Sequence, residues 1–370
     1  MNEYRNNHNQ WEDDEDDEYD EYDGLPRIIS SAELLANLPP LPEEVVEGVV
    51  RQGHKMMISG ASKSGKSFLL IELAIALAEG QKWLGFQCKK SKVLYVNLEM
   101  TPNSLEYRFY VIYEALGIKQ RHFKDIVIWN LRGEAQPLDQ LAPRLIDFAT
   151  QKGIDVIIID PIYKVMMGDE NNAADMAQFT NVFDKICYKA GCTFVYSHHH
   201  SKGAQGFKRT MDRASGSGVF ARDADAQVDM IQLNLVEVPT KKETDDSSAT
   251  AWRLESSLRE FASFKPVNFW FEYPIHRLEE TSKLDKNYVD GDPRANLTKS
   301  YKRNQTTESR KEEFDKAFEV NMKKDGTCLA YVLAEYLGIA ERTVRDRVKE
   351  FSDEYVTKKG IVSRKSEVGK

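Results

Sequence analysis

Cysteine and long apolar runs are both scarce in this sequence. Four cysteines stand among 370 residues, and no two of them have the CxxC spacing of a zinc knuckle. Their apolar or helical surroundings argue against a disulfide framework. No apolar run reaches the roughly 18 residues that span a bilayer. The N-terminus also lacks the basic and apolar regions of a secretory signal. These absences predict a cytoplasmic protein without a membrane segment.

The negative charge of the chain is confined to one end. The formal net charge is −8, yet residues 1–24 alone carry eleven acidic residues and one arginine, a net of −10. The rest of the chain therefore has 50 basic and 48 acidic residues, about +2. So acidic a segment buries too little apolar surface to fold, which predicts a disordered tail. The tail is either a solubilising segment, or a docking peptide for a replication protein or a nucleic-acid mimic.

The pattern of apolar runs divides the remaining chain into domains. Residues 25–54 are a Pro-rich linker, and residues 55–278 alternate between strand and helix patterns. Their strands are continuous apolar runs, which is typical of a parallel sheet covered on both faces. Three consecutive strand patterns after residue 225 predict antiparallel additions to one edge. Residues 279–312 are polar and form a second linker, and residues 313–370 form a small helical domain.

Two helices have recognisable ends. Gly80 suits the C-terminal cap of an apolar helix that follows a glycine-rich loop. Thr101 and Pro102 are a good N-cap and first-turn pair for the next helix, which should end just before Gly117. The glycine-rich loop therefore directly precedes the first of these two helices.

That loop, "GASKSGKS" at residues 60–67, fits the phosphate-binding pattern G-x-x-x-x-G-K-[ST]. The glycines let successive backbone N–H groups point at phosphate oxygens, and the next helix adds the positive end of its dipole. Lys66 reaches the β- and γ-phosphates, and the Ser67 hydroxyl binds Mg²⁺. ATP and Mg²⁺ are the cofactors predicted. The predicted nucleotide-binding residues are Gly60, Ala61, Ser62, Lys63, Ser64, Gly65, Lys66 and Ser67.

Two acidic residues end apolar strands downstream of the loop. Asp160 ends "DVIIID", where its carboxylate would face the Mg²⁺ shell, although such a residue can also cap a helix. Glu99 ends "KVLYVNLE". If that strand lies beside the phosphate-loop strand, the Glu99 carboxylate faces the γ-phosphate and can orient and polarise an attacking water.

Three consecutive histidines end a further strand pattern, "TFVYSHHHSKG" at residues 193–203. Such a run invites the hypothesis of a metal site. Neighbours in an extended segment point to opposite faces, however, so all three side chains cannot reach one ligand. The sequence therefore favours separate roles for the three histidines over a shared metal.

The spacing of Glu99 and Lys66 resembles that of RecA-like ATPases, including the DnaB-type and RepA-type ring helicases. Four blocks in this order, spread over about residues 40–275, resemble the RepA-like ATPase branch of plasmids and other mobile elements. The resemblance implies a RecA-like P-loop core and an ATP-hydrolysing ring, a hexamer, on single-stranded DNA. The blocks are "ISGASKSGKSFLLIELAIALAEG", "KVLYVNLE", "IIIDPIYKVMMGDENNAADM" and "SHHHSKG…DRASGSGVFARDADA".

The same resemblance implies roles for several side chains. His198 or His199 would contact the γ-phosphate as a sensor, with a structural role and a metal site as alternatives. A ring ATPase also needs a cation delivered from a neighbouring subunit, and Arg222 and Arg259 are the candidates. The RepA-type arginine falls about a turn after Arg222, where this chain has Asp225. That departure leaves the assignment open.

The glycine-rich loop after the histidines is basic. In RecA-like rings this region faces the central channel, where a mobile basic loop suits contacts to phosphates of any sequence. An ordinary surface loop is the alternative. The segment "MMGDENNAAD" would be the other channel loop, but its acidity argues against direct phosphate contact. The basic residues concerned are Lys202, Lys208, Arg209 and Arg213.

The segment "LAEYLGIAERTVRDRVKE" has the spacing of a helix-turn-helix. Arg342 and Arg345 would stay exposed on its second helix, suited to phosphates or base edges. With "YVTKKGIVSRK" as a hairpin, the segment predicts a winged-helix domain, and a helical pair that mediates protein contacts is the alternative. The small contact residue, the turn glycine and the core residue are Ala334, Gly338 and Val344.

Together these patterns predict a replicative helicase or translocase of a mobile element. Two other functions fit the same motifs. One is a DNA-binding regulator that uses its ATPase core as an assembly switch. The other is a recombination mediator that loads partners onto DNA.

Overall fold

The computed structural model divides at Pro42 into two units, each described here by itself. In the N-terminal unit, helix α1 (Ser31–Ala36) begins after Ser30, whose hydroxyl accepts a hydrogen bond from the Glu33 amide. The acidic tail lies outside the described residues. Those residues are 28–119, 121–201, 205, 208, 210–214, 218–235, 249–285, 287–289, 311, 314–323, 325–337, 340–358 and 360–365.

The larger unit is an α/β structure around one ten-stranded sheet. Its helices are α2 (Lys66–Glu79), α3 (Pro102–Leu116), α4 (Leu138–Lys152), α5 (Ala173–Ala190), α6 (Val219–Asp223), α7 (Ala330–Leu337) and α8 (Glu341–Glu350). The strands before the histidine run are β1 (Glu44–Val46), β2 (Val50–Arg51), β3 (Lys55–Gly60), β4 (Lys82–Trp83), β5 (Phe86–Gln87), β6 (Val93–Asn97), β7 (Ile126–Asn130) and β8 (Val156–Asp160). The later strands are β9 (Thr193–His199), β10 (Ala226–Asn234), β11 (Thr250–Leu258), β12 (Val267–Glu272), β13 (Ile275–Leu278), β14 (Tyr288–Val289), β15 (Thr327–Leu329), β16 (Tyr355–Lys358) and β17 (Ile361–Arg364).

The strand order across the main sheet is β13-β12-β11-β10-β3-β9-β8-β6-β7, and β14 pairs with β10. All strands from β10 to β7 in this order run parallel, while β11, β12 and β13 pair antiparallel. The mostly parallel sheet with antiparallel edge strands is thereby confirmed. One detail of the prediction was wrong, because β10, the first of the three late strands, runs parallel to β3.

Burial explains why the strands are continuous apolar runs. Every residue of β3, β6 and β8 is buried, since helices cover both faces of the sheet. One core joins α2 and α3 to one face, and a second joins α4 and α5 to the other. Helix α2 is buried almost all round, as its sequence predicts. Its end at Gly80, and the Thr101 cap of α3, are also confirmed.

Strand β6, which precedes Glu99, is not beside the phosphate-loop strand β3. Strands β9 and β8 lie between them. The adjacency assumed from the sequence is therefore wrong. The consequence for Glu99 is small, because parallel strands all present their carboxyl ends at one edge of the sheet.

The core extends beyond the predicted domain limits on both sides. Strands β1 and β2 fall in the stretch predicted as an N-terminal linker, yet valines of this hairpin pack in the same core as α2. Beyond residue 278, Leu284 is buried and β14 pairs with β10. In both segments the apolar runs are only one or two residues long, which is too short to predict a strand.

The C-terminal segment has its own apolar core. Residues 314–321 are helical, α7 and α8 follow, and β15, β17 and β16 form a three-stranded sheet. Ala334 and Val344 lie in this core, which is the inner face expected of them. Gly338 lies outside the described residues, and the DNA-binding role remains a prediction. Within the part of the chain that the structure describes, no helix combines the length and apolarity needed to cross a bilayer.

Candidate nucleotide site

A cleft of about 780 Å³ opens at the carboxyl ends of the parallel strands. Ligands bind at this edge in open α/β sheets, because loops and helix N-termini converge there. The predicted phosphate loop forms one wall. The lining residues are Ala61, Ser62, Lys63, Ser64, Gly65, Lys66, Ser67, Phe68, Glu99, Met100, Arg108, Asp160, Pro161, Tyr163, Ser197, His199, Gln232, Thr250, Trp252 and Phe271.

Two glycines shape the loop. Gly65 caps the N-terminus of α2 at φ 90°, a left-handed conformation that favours glycine. At Gly60, an added Cβ would stand 3.1 Å from the Ser64 Oγ and 3.3 Å from the Lys66 Cδ. Among the described residues, the buried Ser64 hydroxyl has no hydrogen-bond partner. The loop therefore has the curvature and the spare polar group that suit an anion.

Lys66 places its ammonium at the centre of this loop. The Nζ donates to the carbonyl oxygens of Gly60 at 2.9 Å and Ala61 at 2.7 Å, and it lies 3.3 Å from the His199 Nδ1. Burial lowers the pKa of Lys66 to about 8, and the nearby charges of Asp160 and Glu99 oppose that shift. A phosphate would add the negative charge that restores the ordinary pKa.

Two hydroxyl groups orient the Asp160 carboxylate. The hydroxyls of Tyr95 and Ser197 donate to its two oxygens at 2.9 and 2.7 Å. Burial raises the pKa of Tyr95, and Asp160 adds to that shift, so the phenol stays a donor. Ser67 lines the same cleft. A hydroxyl and a carboxylate are hard oxygen ligands that fit Mg²⁺, which takes its other ligands from phosphates and water.

Glu99 lies just beyond the end of β6, and its side chain is exposed in the cleft. The Asn97 side chain shapes this turn by accepting hydrogen bonds from the amides of Glu99 and Met100 at 3.4 and 2.9 Å. The Tyr163 hydroxyl donates to the Glu99 carboxylate. Glu99 therefore reaches the phosphate loop although two strands intervene, and water has access to it.

The three histidines face three different surroundings. His199 lines the cleft beside Lys66, and its ring centroid lies 5.4 Å from that of Tyr163. Burial lowers the pKa of His199, and the Lys66 charge adds to this, so the imidazole is neutral. His198 is buried with its ring 4.5 Å from that of Phe220, and His200 lies 3.5 Å from Asp229. Of the two sensor candidates, His199 lines the cleft and His198 is buried against Phe220, and the sensor role itself stays a prediction.

Two comparisons with known proteins found similarities to this chain. Residues 24–205, just under half of the chain, match a family model described as an AAA domain. That range contains the phosphate loop, Glu99, Asp160 and His199. Among solved structures, a KaiC-like protein from the hyperthermophilic archaeon Pyrococcus horikoshii shares 14% identity at a TM-score of 0.43. The alignment covers 64% of this chain and 93% of that chain.

The two arginine-finger candidates are not among the residues that line the cleft. Arg259 pairs with Asp225 at 2.5 Å and donates to the Arg222 carbonyl at 2.8 Å. Arg222 itself is exposed on α6. Asp225, the departure from the RepA-type pattern, therefore serves to hold Arg259. Both arginines are exposed, and the Arg259 guanidinium is held by these contacts.

The basic loop after β9 contains residues of two kinds. Arg213 is only 5% exposed and pairs with Glu255 at 2.6 Å and Asp229 at 3.5 Å. A guanidinium neutralised in this way inside the fold does not fit the predicted phosphate contact. Lys208 is partly exposed and donates to the Ser201 hydroxyl at 2.6 Å. Lys202 and Arg209 lie outside the described residues.

The two arginines proposed for the second helix of the C-terminal segment are exposed. Arg345 forms an ion pair with Glu341 at 2.6 Å, one turn earlier on α8. Arg342 lies on the same exposed side, while Val344 between them is buried. This is the arrangement that contact with a nucleic acid would need, and the contact remains a prediction.

Sequence reasoning missed several residues of the cleft. Tyr163 and Ser197 orient the two carboxylates, and Arg108 of α3 places its guanidinium carbon 4.4 Å from the centroid of the Phe68 ring. Trp252 and Phe271, which also line the cleft, come from the antiparallel strands β11 and β12. None of these belongs to the phosphate-loop pattern. Only Tyr163 was open to prediction from the sequence, because it follows Asp160 by three residues and so lies close to the carboxyl end of the same strand.

Proposed function

We propose that this protein is an ATP-hydrolysing, ring-forming motor of the RepA-like branch that acts on single-stranded nucleic acid. In that role it would be a replicative helicase or translocase of a mobile element. One observation carries the proposal: Asp160, Glu99 and His199, at or just beyond the ends of three strands, meet Lys66 of α2 in one cleft. That set would hold a terminal phosphate and a metal ion and would orient a water for hydrolysis.

Each of these side chains has a distinct chemical task. ATP supplies the phosphoryl group, and Mg²⁺ neutralises part of its charge when bound. Lys66 and the backbone amides of the loop hold the phosphates, and Ser67 and Asp160 provide the oxygen ligands for the ion. Glu99 orients the attacking water and accepts its proton. His199, next to Lys66, contacts the terminal phosphate and reports its loss to the segment that follows β9.

The side of the cleft formed by β10, β11 and β12 suits the base and ribose of the nucleotide. Phe271 is partly exposed there and offers an aromatic surface on which a base stacks regardless of its identity, while Trp252 is only 6% exposed and packs in the core. Gln232 and Thr250 add polar groups beside them. Because stacking does not depend on the identity of the base, most of the recognition of the nucleotide comes from the phosphate end of the cleft.

A ring supplies what one subunit lacks. A cation from a neighbour stabilises the charge of the transition state and is worth roughly a thousandfold in rate. Arg222, exposed on α6, is the better candidate for that cation, because Arg259 is already paired with Asp225. The proposed hexamer would then have Arg222 at each subunit boundary.

A second function has one observation in its favour. The C-terminal segment has its own core and presents Arg342 and Arg345 on one exposed helix. That surface suits sequence-specific DNA binding, in which case ATP controls assembly and no strands are separated. The protein would then be a DNA-binding regulator.

Unwinding of a forked duplex separates the two functions. The helicase proposal predicts ATP turnover that single strands stimulate, together with strand separation. Lys66→Ala should abolish both, because the phosphates lose their cation. Turnover without strand separation by the wild-type protein would contradict the helicase proposal and favour the regulator.

A further inference from the structure

The Glu99 carboxylate is not free in this structure, although the proposed reaction needs it to accept a proton. The Tyr163 hydroxyl donates a hydrogen bond to it. A donor stabilises the charged form of a carboxylate and so makes it a poorer base. It also holds the carboxylate toward the tyrosine. The contact therefore opposes the role proposed for Glu99.

Tyr163 belongs to a short 3-10 turn, Ile162–Val165, that follows β8 directly. Ile162 and Val165 are buried and anchor the turn in the core. Tyr163, between them, lies in the cleft with its ring 5.4 Å from that of His199. The turn thus connects the catalytic edge of the sheet to the segment that leads to α5.

The same turn presents a cation next to the tyrosine. Lys164 is exposed, and its Nζ lies 5.1 Å from the centroid of the Tyr163 ring. Across the described stretches of the chain, no carboxylate lies within ion-pair distance of this ammonium. At Gly168, φ is 74°, and an added Cβ would stand 2.6 Å from the Asp175 Oδ2. The segment after the turn therefore contacts the first turn of α5 at Asp175, whose carboxylate also accepts a hydrogen bond from the Asp169 amide at 3.0 Å.

We propose that Tyr163 is a positioning residue that restrains Glu99 in the resting subunit. A nucleic-acid strand whose phosphate binds Lys164 withdraws the tyrosine and releases the carboxylate. The inference rests on the proposed function, and it explains how a strand bound outside the cleft stimulates ATP turnover.

Proton loss from the tyrosine does not provide the release. Burial raises the pKa of Tyr163 to about 12, with the Glu99 and Asp160 charges adding to the shift. The phenol therefore stays protonated and donating at every pH at which the protein works. Removing the contact requires movement of the turn.

Tyr163→Phe tests the restraint, because it deletes the donor and keeps the ring. Turnover is measured with and without single-stranded DNA over a range of ATP concentrations. Without DNA, kcat should rise about threefold to tenfold, while the KM for ATP stays within about twofold. The stimulation ratio should fall correspondingly. Tyr188→Phe, on the exposed surface of α5 at 79% exposure, is the matched control and should behave as wild type.

Lys164→Gln tests the trigger. It should reduce stimulation by DNA in the wild-type background and change little in the Tyr163→Phe background, where nothing is left to release. Lys189→Gln, another exposed lysine, controls for the loss of one positive charge. Additive effects of the two substitutions would overturn the coupling.

The outcomes distinguish failure of the Tyr163 restraint from failure of the proposed ATPase function on which it rests. An unchanged or lowered basal kcat in a folded Tyr163→Phe protein overturns the restraint and leaves the ATPase proposal intact. A wild-type protein that binds ATP but never hydrolyses it overturns both. A raised basal kcat with a reduced stimulation ratio supports the inference.

Discussion

At the scale of single residues, one step along β9 separates a cleft histidine from a core histidine. The sequence predicted that neighbouring histidines point to opposite faces, and the structure has His199 beside Lys66 and His198 against Phe220. The choice between them was not predictable, because it depends on which face of the sheet the phosphate loop covers. Arg213 shows the same limit, since its partners Glu255 and Asp229 come from strands that no local pattern brings to it.

The pKa of Lys66 gives a prediction at this scale. It lies at about 8 because the side chain is buried, and a bound phosphate would raise it. Binding of ATP therefore favours the protonated lysine, so affinity is full below pH 8 and is lost as the pH rises above it. We expect the Kd for ATP to weaken about tenfold between pH 7 and pH 9.

The measurement is an equilibrium titration with ATP over that pH range. Lys66→Arg is the control, because a guanidinium stays protonated throughout, and its Kd should be independent of pH whatever its value. A wild-type Kd that stays flat to pH 9 would contradict the assigned pKa.

At the scale of elements, caps and apolar periodicity were reliable guides and sheet order was not. Helix α2 ends at Gly80 and α3 begins after Thr101, because both caps are local backbone features. The separation of β6 from β3 by two strands depends on long-range packing, which periodicity does not record. The site was still predictable, since every parallel strand ends at the same edge.

The basic loop after β9 gives a prediction about stability. Arg213→Ala would leave Asp229 buried beside Glu255 with its cation removed, which should lower the free energy of unfolding by about 3 kcal/mol. Lys208→Ala removes a partly exposed side chain and should change it by less than about 0.5 kcal/mol. Urea denaturation followed by circular dichroism measures both.

Binding of single-stranded DNA should show the opposite order. Lys208→Ala weakens it if this loop contacts phosphates, whereas the folded fraction of Arg213→Ala should bind as wild type does. In the stability measurement, an Arg213→Ala protein that lost no more free energy of unfolding than Lys208→Ala would contradict the role of the Arg213 ion pairs.

At the scale of the whole molecule, the alternation of strands and helices predicted a mostly parallel α/β sheet, which the structure confirms. The domain limits were drawn too narrowly, because short strands such as β1 and β14 join the core by pairing that their sequences do not announce. That the protein assembles into a ring is a proposal about its contacts with further copies of the chain. That a DNA strand occupies the channel of this ring is a second such proposal. They depend on the cleft being a working ATPase site.

The central claim is that one cleft binds ATP and that Glu99 in it directs hydrolysis. The most direct measurement is titration calorimetry with Mg²⁺ and ATP, together with phosphate release, for the wild type and Glu99→Gln. Glu106→Gln, exposed on α3, is the control. We expect the wild type and Glu99→Gln to bind ATP with Kd values within about threefold of each other. The rate of phosphate release should be at least about a hundredfold lower in Glu99→Gln than in the wild type. Absence of ATP binding by the wild type, or an unchanged rate in Glu99→Gln, would contradict the account.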